Sequence, residues 1–78
     1  MVERLQGKKV VGLKQTIKAL KTGNCKKLYI AKDSEDNIRE NIESLAVKNS
    51  IEVVYVDTMK DLGRLCGIQV GAVAAATL

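Results

Sequence analysis

The residues best suited to chemistry lie at the start of a predicted helix, between Gly12 and Lys18. Gly12 has no Cβ, so another molecule can approach its backbone closely. The helix behind it offers free N–H groups and the positive end of its dipole. Lys14 and Lys18 add cations one turn apart, and the Gln15 amide can both donate and accept hydrogen bonds. This combination suits the phosphates and base edges of RNA, but the residues alone leave open a solvated amphipathic helix face.

The other reactive side chains form no convincing catalytic group. The sequence contains no histidine, so the commonest general base is missing and the Cys66 thiol has nothing to activate it. Asp33, Glu35 and Asp36 form a carboxylate cluster just before a predicted helix. Acidic residues stabilise that end of a helix, which favours capping over an acid/base pair. We therefore expect a non-catalytic protein without a metal or cofactor.

Length and composition predict one small cytoplasmic domain over residues 1–78. The chain is 46% hydrophobic, enough for a core, and 28% charged. It has no apolar run long enough for a membrane span, and residues 1–5 lack the apolar core of a signal peptide. The two cysteines form no disulfide framework, which favours a reducing compartment. Aromatic residues make up 3%, too few for a sheet that stacks RNA bases.

The charges are strongly segregated along the chain. Residues 1–32 carry nine lysines and arginines, Arg4 among them, against one glutamate, a formal charge of +8. Residues 33–57 carry seven acidic residues against two basic ones, a formal charge of −5. A separate basic region is typical of a protein with a polyanionic partner, although an unevenly charged solvated surface remains the alternative.

The hydrophobic periodicity predicts alternating strands and helices. The predicted strands span 9–11, 27–31, 51–56 and 70–77, and the predicted helices span 12–22, 35–48 and 59–66. We expect Asp33 or Ser34 to cap the second helix, and Thr58 with Asp61 resembles a capping box. The nearly continuous apolar run at 51–56 predicts a strand that is covered on both faces. These elements predict an α/β fold, a three-layer α/β/α sandwich with a four-stranded mixed sheet.

Four stretches, in order and with matching spacing, resemble the ribosomal L7Ae family over nearly the whole chain. The first is the helix start Gly12-Leu13-Lys14-Gln15-Thr16-Ile17-Lys18-Ala19. The others are Tyr29–Asp33, Leu62–Val70 and Ala72–Ala76, which resemble the family's second strand, its helix end with the following loop, and its alanine-rich last strand. The resemblance implies the same sandwich fold.

The resemblance also implies a target, the kink-turn, in which a short bulge and tandem sheared G·A pairs bend an RNA helix sharply. In this family the helix start enters the widened major groove, so Lys14 and Gln15 would contact base edges and Lys18 a guanine edge. The loop 68–70 would cover an extruded bulge base. Glu35 and Arg39 would lie near a flipped-out nucleotide. The RNA-binding residues implied in this way are Gly12, Lys14, Gln15, Thr16, Lys18, Lys32, Glu35, Arg39, Lys60, Ile68, Gln69 and Val70.

Several positions depart from the archaeal and eukaryotic pattern of the family. Those members often have Asn-Glu where this chain has Lys14-Gln15, and a lysine where it has Met59, with Lys60 beside it. The chain also has no proline, so Gly71 stands where a proline is frequent. These features resemble the short bacterial branch.

We therefore expect a monomer that recognises and stabilises kink-turns in ribosomal RNA, a riboswitch or another non-coding RNA. An integral protein of the large ribosomal subunit, bound to the ribosome through the same surface, remains an alternative. A protein-interaction module that docks a basic partner on the acidic 33–57 region is a second alternative.

Overall fold

The computed structural model describes residues 8–78, and this part of the chain forms four strands and three helices. In chain order they are β1 (Lys9–Val11), α1 (Leu13–Thr22), β2 (Lys27–Ala31), α2 (Asp36–Lys48), β3 (Glu52–Val56), α3 (Met59–Cys66) and β4 (Ala74–Thr77). Their order and types confirm the prediction. The expectations about Arg4 and about residues 1–5 concern residues outside the described range.

The strands form one mixed sheet in the order β1-β4-β2-β3. The last strand, β4, runs antiparallel to both β1 and β2, whereas β2 and β3 run parallel. Helices α1 and α2 pack together on one face of the sheet and α3 packs on the other. The predicted α/β/α sandwich with a mixed sheet is confirmed.

Successive side chains of the central strands point to opposite faces of the sheet, so each face has its own hydrophobic core. Leu28 and Ile30 of β2 are fully buried on the α1/α2 side, whereas Ala31 is buried on the α3 side. Strand β4 contributes only alanines to both cores, and Ala74, Ala75 and Ala76 are all fully buried. Small side chains there let helices approach the middle of the sheet from both faces.

The second helix is not capped as the sequence predicted. Its N-cap residue is Glu35, and no side chain in the described part of the chain caps it. The Ser34 hydroxyl instead donates to the Ala31 carbonyl over 2.7 Å, and the Asp33 carboxylate accepts from the Met59 N–H over 2.8 Å. Asp33 therefore stabilises the start of α3, a helix 26 residues further along the chain.

The start of α3 agrees with the predicted cap. Thr58 is its N-cap residue, and the Thr58 Oγ1 accepts a hydrogen bond from the Asp61 N–H over 3.0 Å. Asp61 also lies in the first turn of α3, where its charge favours the helix dipole.

Two strand predictions need correction. Strand β3 is an edge strand, since it pairs only with β2 among the described strands. Val53 packs against the α1/α2 core and Val56 against the α3 core, so helices cover both faces of β3 only in part and none of its residues is fully buried. Its Tyr55 is 45% exposed and donates a hydrogen bond to Glu43 of α2. Strand β4 begins at Ala74 rather than at Val70, because the preceding segment turns towards α3 and the Ala72 N–H donates to the Met59 carbonyl over 3.0 Å.

None of the helices within residues 8–78 is long and apolar enough to span a lipid bilayer.

The close packing around β4 predicts that a larger side chain at Ala75 destabilises the fold. Ala75→Leu adds three carbons beside Leu62 and Cys66 in a core without room for them. We expect a loss of about 1–3 kcal/mol in the free energy of unfolding, measured by urea denaturation. Ser44→Leu adds similar bulk at an exposed site of α2 and should change the stability by less than about 0.5 kcal/mol. Equal stabilities for Ala75→Leu and the parent protein would show that the sheet centre tolerates bulk.

Candidate nucleic-acid interface

The strand directions bring four segments of the chain to one edge of the sheet. Strands β1, β2 and β3 all end at this edge, and β4 begins there because it runs antiparallel to β1 and β2. We call it the loop edge. It comprises residues 12–15, 32–35, 57–60 and 71–73, together with residues 68–70, which lead back to it along α3. The segments that the sequence analysis singled out separately are therefore neighbours in space.

Three consecutive residues before and at the start of β4 hold these segments together. The Ala72 N–H donates to the Met59 carbonyl over 3.0 Å, which ties the loop to α3. The Val73 carbonyl accepts from the Ala31 N–H over 3.0 Å at the end of β2. The Ala74 carbonyl accepts from the Gly12 N–H over 2.9 Å at the start of α1. Residues 72–74 thus fix the position of the α1 start relative to the loop that follows α3.

The start of α1 is open to an anionic ligand. Gly12 is the N-cap residue with φ of 101° and ψ of 159°, a backbone conformation that disfavours other residues. Within residues 8–78 no side chain caps this end, and its first turn contains no acidic residue. The N–H groups of residues 13–15 therefore have no partner within the helix. Lys14, Gln15 and Lys18 are all exposed around them.

Thr16 has a different environment from the exposed residues beside it. Its side chain is fully buried, and its Oγ1 has no hydrogen-bond partner within residues 8–78. The side chain lies below the surface, and direct contact between this hydroxyl and a ligand stays a prediction. The Thr16 backbone makes the first hydrogen bond of α1, in which its N–H donates to the Gly12 carbonyl over 3.0 Å.

The loop between β2 and α2 is held by Arg39. The Arg39 guanidinium donates to the carbonyls of Lys32 and Ser34 over 3.1 and 3.0 Å. It also pairs with Asp36 over 2.6 Å. Arg39 therefore fixes the loop that carries Lys32 and Glu35, both of which are exposed.

The loop after α3 is positioned by a close backbone approach. Gly67 ends α3 with φ of 78°, and the Ile68 N–H then donates to the Gly63 carbonyl over 3.0 Å. A Cβ on Gly63 would collide with the Val70 carbonyl oxygen, so only glycine fits beneath this loop. Ile68 packs against the α3 core, whereas Gln69 and Val70 are exposed. Val70 is 71% exposed, close to the 78% of Val47 on α2.

Most cations of the interface have no ionic partner. Lys14, Lys18 and Lys60 are exposed and form no salt bridge within the described part of the chain. Lys32 pairs with Asp57 over 3.4 Å, but both side chains are largely exposed, and such pairs contribute only about 0–1 kcal/mol. The interface therefore presents positive charge that an anionic ligand can neutralise.

The described residues offer little for catalysis. Burial raises the pKa of the Cys25 and Cys66 thiols, which disfavours the reactive thiolate. Residues 8–78 also contain no group of three histidine, cysteine or acidic side chains that could hold a metal ion.

Most of the twelve predicted site residues lie at or near the loop edge, and one is buried. Nine of them lie in the loops or first helical turns of the loop edge, and Lys18 and Arg39 lie one turn further into α1 and α2. Thr16 is the buried exception.

Sequence reasoning missed the positioning roles of Asp33 and Gly63. A glycine inside a helical pattern was a usable signal for Gly63, but nothing local indicated the contact of Asp33 with α3.

Comparison with known proteins identifies the family. The sequence model of the ribosomal protein L7Ae/L30e/S12e/Gadd45 family matches residues 2–78. An RNA-binding protein of Caldanaerobacter subterraneus subsp. tengcongensis is 47% identical over 76 residues, which cover 97% of this chain and 93% of the relative. The RNA-binding protein YbxF of Geobacillus stearothermophilus is 46% identical over 72 residues, which cover 92% and 88%. The chain therefore belongs to the L7Ae/L30e/S12e/Gadd45 family, which confirms the resemblance.

Two more distant similarities agree with this assignment. The large ribosomal subunit protein eL8 of Halobacterium salinarum is 37% identical over 78 residues, which cover 99% of this chain and 65% of that protein. The solved structure of a protein of unknown function from Bacillus halodurans matches with a TM-score of 0.80 at 20% identity, covering 88% of this chain and 69% of that one. This second similarity supports the fold alone.

The close approach at Gly63 predicts that Gly63→Ala displaces the loop. Alanine is the better helix former by about 1 kcal/mol, but the collision with the Val70 carbonyl costs about 1–3 kcal/mol, so we expect net destabilisation. Hydrogen exchange of the Ile68 and Ala72 amides should accelerate more than that of the β2 amides. Gly23→Ala is the matched control, because Gly23 has φ of 76° and no atom within 4 Å of its Cβ position. It should destabilise the fold without a selective effect on the loop. Unchanged exchange at Ile68 and Ala72 in Gly63→Ala would contradict this role of Gly63.

Proposed function

We propose that this chain binds RNA through the loop edge and that its target is the kink-turn. The proposal rests on its family and on relatives that are named RNA-binding proteins. The observation that carries it is a pair of surfaces held at a fixed separation by residues 72–74. One is the start of α1, which has no side-chain cap and no acidic residue in its first turn within the described residues. The other is the loop with the exposed Val70.

The start of α1 would supply polar recognition. Its free N–H groups and dipole favour a phosphate, and a kinked RNA helix widens the major groove enough to admit it. Lys14 and Lys18 would donate to guanine O6 and N7, the acceptors that lysine side chains commonly contact. Gln15 can both donate and accept, so it suits the polar edges of a sheared G·A pair. Gly12 would let the RNA backbone approach without a clash.

The loop 68–70 would supply apolar recognition. Val70 exposes most of its surface in the free protein, and an unstacked bulge base would cover it. Complete burial of such a side chain contributes about 1.5–3 kcal/mol. Gln69 would contact the edge or the sugar of the same nucleotide, while Ile68 stays anchored in the α3 core.

The remaining predicted residues would surround these two surfaces. Lys60, in the first turn of α3, and Lys32 would contact phosphates. Lys32 would exchange its exposed partner Asp57 for a phosphate at little cost, because that ion pair is weak. Glu35 would lie near a flipped-out nucleotide, whereas Arg39 would act mainly by holding the loop through the carbonyls of Lys32 and Ser34.

The mechanism would be a population shift rather than catalysis. A kink-turn exchanges between extended and kinked forms, and a protein that binds only the kinked form increases its population. We propose that the chain does this as a cytoplasmic monomer without a cofactor. Phosphate contacts would supply much of the affinity, while the helix start and the loop would supply specificity.

A second candidate function is that of a ribosomal component. The similarity to eL8 of Halobacterium salinarum favours it, and the same interface would serve a kink-turn in ribosomal RNA. Co-sedimentation with ribosomes at high salt would support this function. Release from ribosomes together with retained binding to another kink-turn RNA would favour a separate RNA-binding protein.

The proposal predicts selective weakening of binding when the helix start is altered. We expect tight binding to a kink-turn duplex and weak binding to the same duplex without its G·A pairs. The triple variant Lys14→Ala, Gln15→Ala, Lys18→Ala should weaken kink-turn binding by about 100-fold, because each of the three side chains is expected to contribute about 1 kcal/mol or slightly less. Gel-shift titration measures both effects.

The matched control replaces three exposed residues of α2: Asn41→Ala, Ser44→Ala and Lys48→Ala. This variant should bind as the parent does, and circular dichroism should show that both variants are folded. Equal affinity of the parent for the two duplexes would rule out kink-turn recognition. Unchanged affinity of the Lys14, Gln15, Lys18 variant would place the interface elsewhere.

A further inference from the structure

A stripe of lysines continues along α1 beyond the loop edge. Lys14, Lys18 and Lys21 lie at positions i, i+4 and i+7, so they share one face of the helix over about 10 Å. Lys26 follows in the turn between α1 and β2, and Lys8 immediately precedes β1. Three exposed lysines lie near the end of α1 that is remote from the loop edge, and we call Lys8, Lys21 and Lys26 the distal lysines.

The distal lysines are free to bind a ligand. All three are exposed, and none forms a salt bridge within the described residues. The sequence between positions 4 and 32 contains no acidic residue, so α1, β1 and the turn before β2 supply no counter-charge. By contrast, Lys27, Lys32 and Arg39 each pair with a carboxylate.

A groove runs beside the lysine stripe, from Gln15 to the turn after α1. It lies between α1 and β1 and has a volume of about 200 Å³. Gln15 and Lys18 lie at one end of its polar lining and Asn24 at the other, while Val10 and Leu78 contribute apolar surface. The polar surface at the start of α1 therefore continues along the helix to the turn that carries Lys26.

We propose that the distal lysines bind the sugar–phosphate backbone of an RNA stem that continues past the kink. This inference rests on the proposed function, because the start of α1 must enter the groove of the kinked RNA to bring a stem alongside the helix. A DNA double helix carries one phosphate per about 1.7 Å of axis, and an RNA stem has a comparable density of charge, so a stem that continues along α1 would bring phosphates within reach of Lys21 and Lys26. The contact adds affinity without reading sequence.

Lys21 also has a structural role that the experiment must separate. It lies in the last turn of α1, where a cation favours the helix dipole. Lys48 is exposed and lies in the last turn of α2, so it has the same role away from the interface. Lys48→Gln is therefore the matched control for Lys21→Gln, and the double variant Lys21→Gln, Lys26→Gln tests the distal surface.

The test measures the salt dependence of binding to kink-turn RNAs whose two flanking stems are full length or are shortened one at a time. With full-length stems, the double variant should reduce the slope of log affinity against log salt by about 1.4–1.8, the value expected when two phosphates are no longer neutralised. On one of the two shortened RNAs, the one that lacks the stem beside α1, the parent and the double variant should give equal slopes. Lys48→Gln should match the parent on every RNA.

Three results would overturn the proposal. The first is an equal slope for the parent and the double variant on full-length RNA. The second is a slope that the double variant reduces equally, relative to the parent, on the full-length RNA and on both shortened RNAs. This result would indicate an effect on helix stability or within the kink. The third is an unchanged RNA slope together with loss of binding to phosphatidylserine vesicles, which would assign the distal lysines to a membrane surface.

The same titrations distinguish this proposal from the proposed function. If the parent fails to prefer a kink-turn over a duplex without G·A pairs, kink-turn recognition fails. A smaller slope for the double variant on that plain duplex would still support phosphate contacts by the distal lysines.

Discussion

The backbone hydrogen bonds of residues 72–74 are the constraint on which the interface depends. Through them, three successive residues hold the start of α3, the end of β2 and the start of α1. Because these bonds use main-chain atoms, the separation between the α1 start and the loop 68–70 does not depend on flexible side chains. The loop edge is therefore largely formed before a ligand arrives, which lowers the entropy cost of binding.

The small residues of the chain make this arrangement possible. Alanines at the centre of the sheet allow helices to pack on both faces of β4, and Gly63 allows the loop backbone to lie directly on α3. The large apolar side chains are in turn concentrated in the two cores, where Leu20, Leu28, Ile30, Ile42 and Leu62 are fully buried. The exposed exceptions are Val47 on α2, Tyr55 on β3 and Val70, and the proposed ligand would cover only Val70.

Much of the fold was predictable because its signals are local. The apolar spacing of α1, α2 and α3 and the β-rich run of β2 identified the elements, and their alternation predicted the layers. The burial of β3 was overestimated, because an apolar run does not reveal that its strand lies at the edge of a sheet, where helices cover its two faces only in part. The role of Asp33 depends on tertiary packing between distant segments, which no local pattern reveals. The burial of Thr16 was predictable, because it lies three residues after Leu13 and four before Leu20, on the apolar face of α1.

The most direct test of the account is to map the RNA contact by NMR on the uniformly labelled protein. A kink-turn duplex is titrated into it, and the chemical-shift change of every backbone amide is followed. We expect the largest changes at residues 12–18 and 68–71, with smaller ones at 32–35 and 59–60, and almost none at 40–48 or 52–56. Dominant changes on α2 and β3, with the start of α1 unperturbed, would contradict the claim that RNA binds at the loop edge.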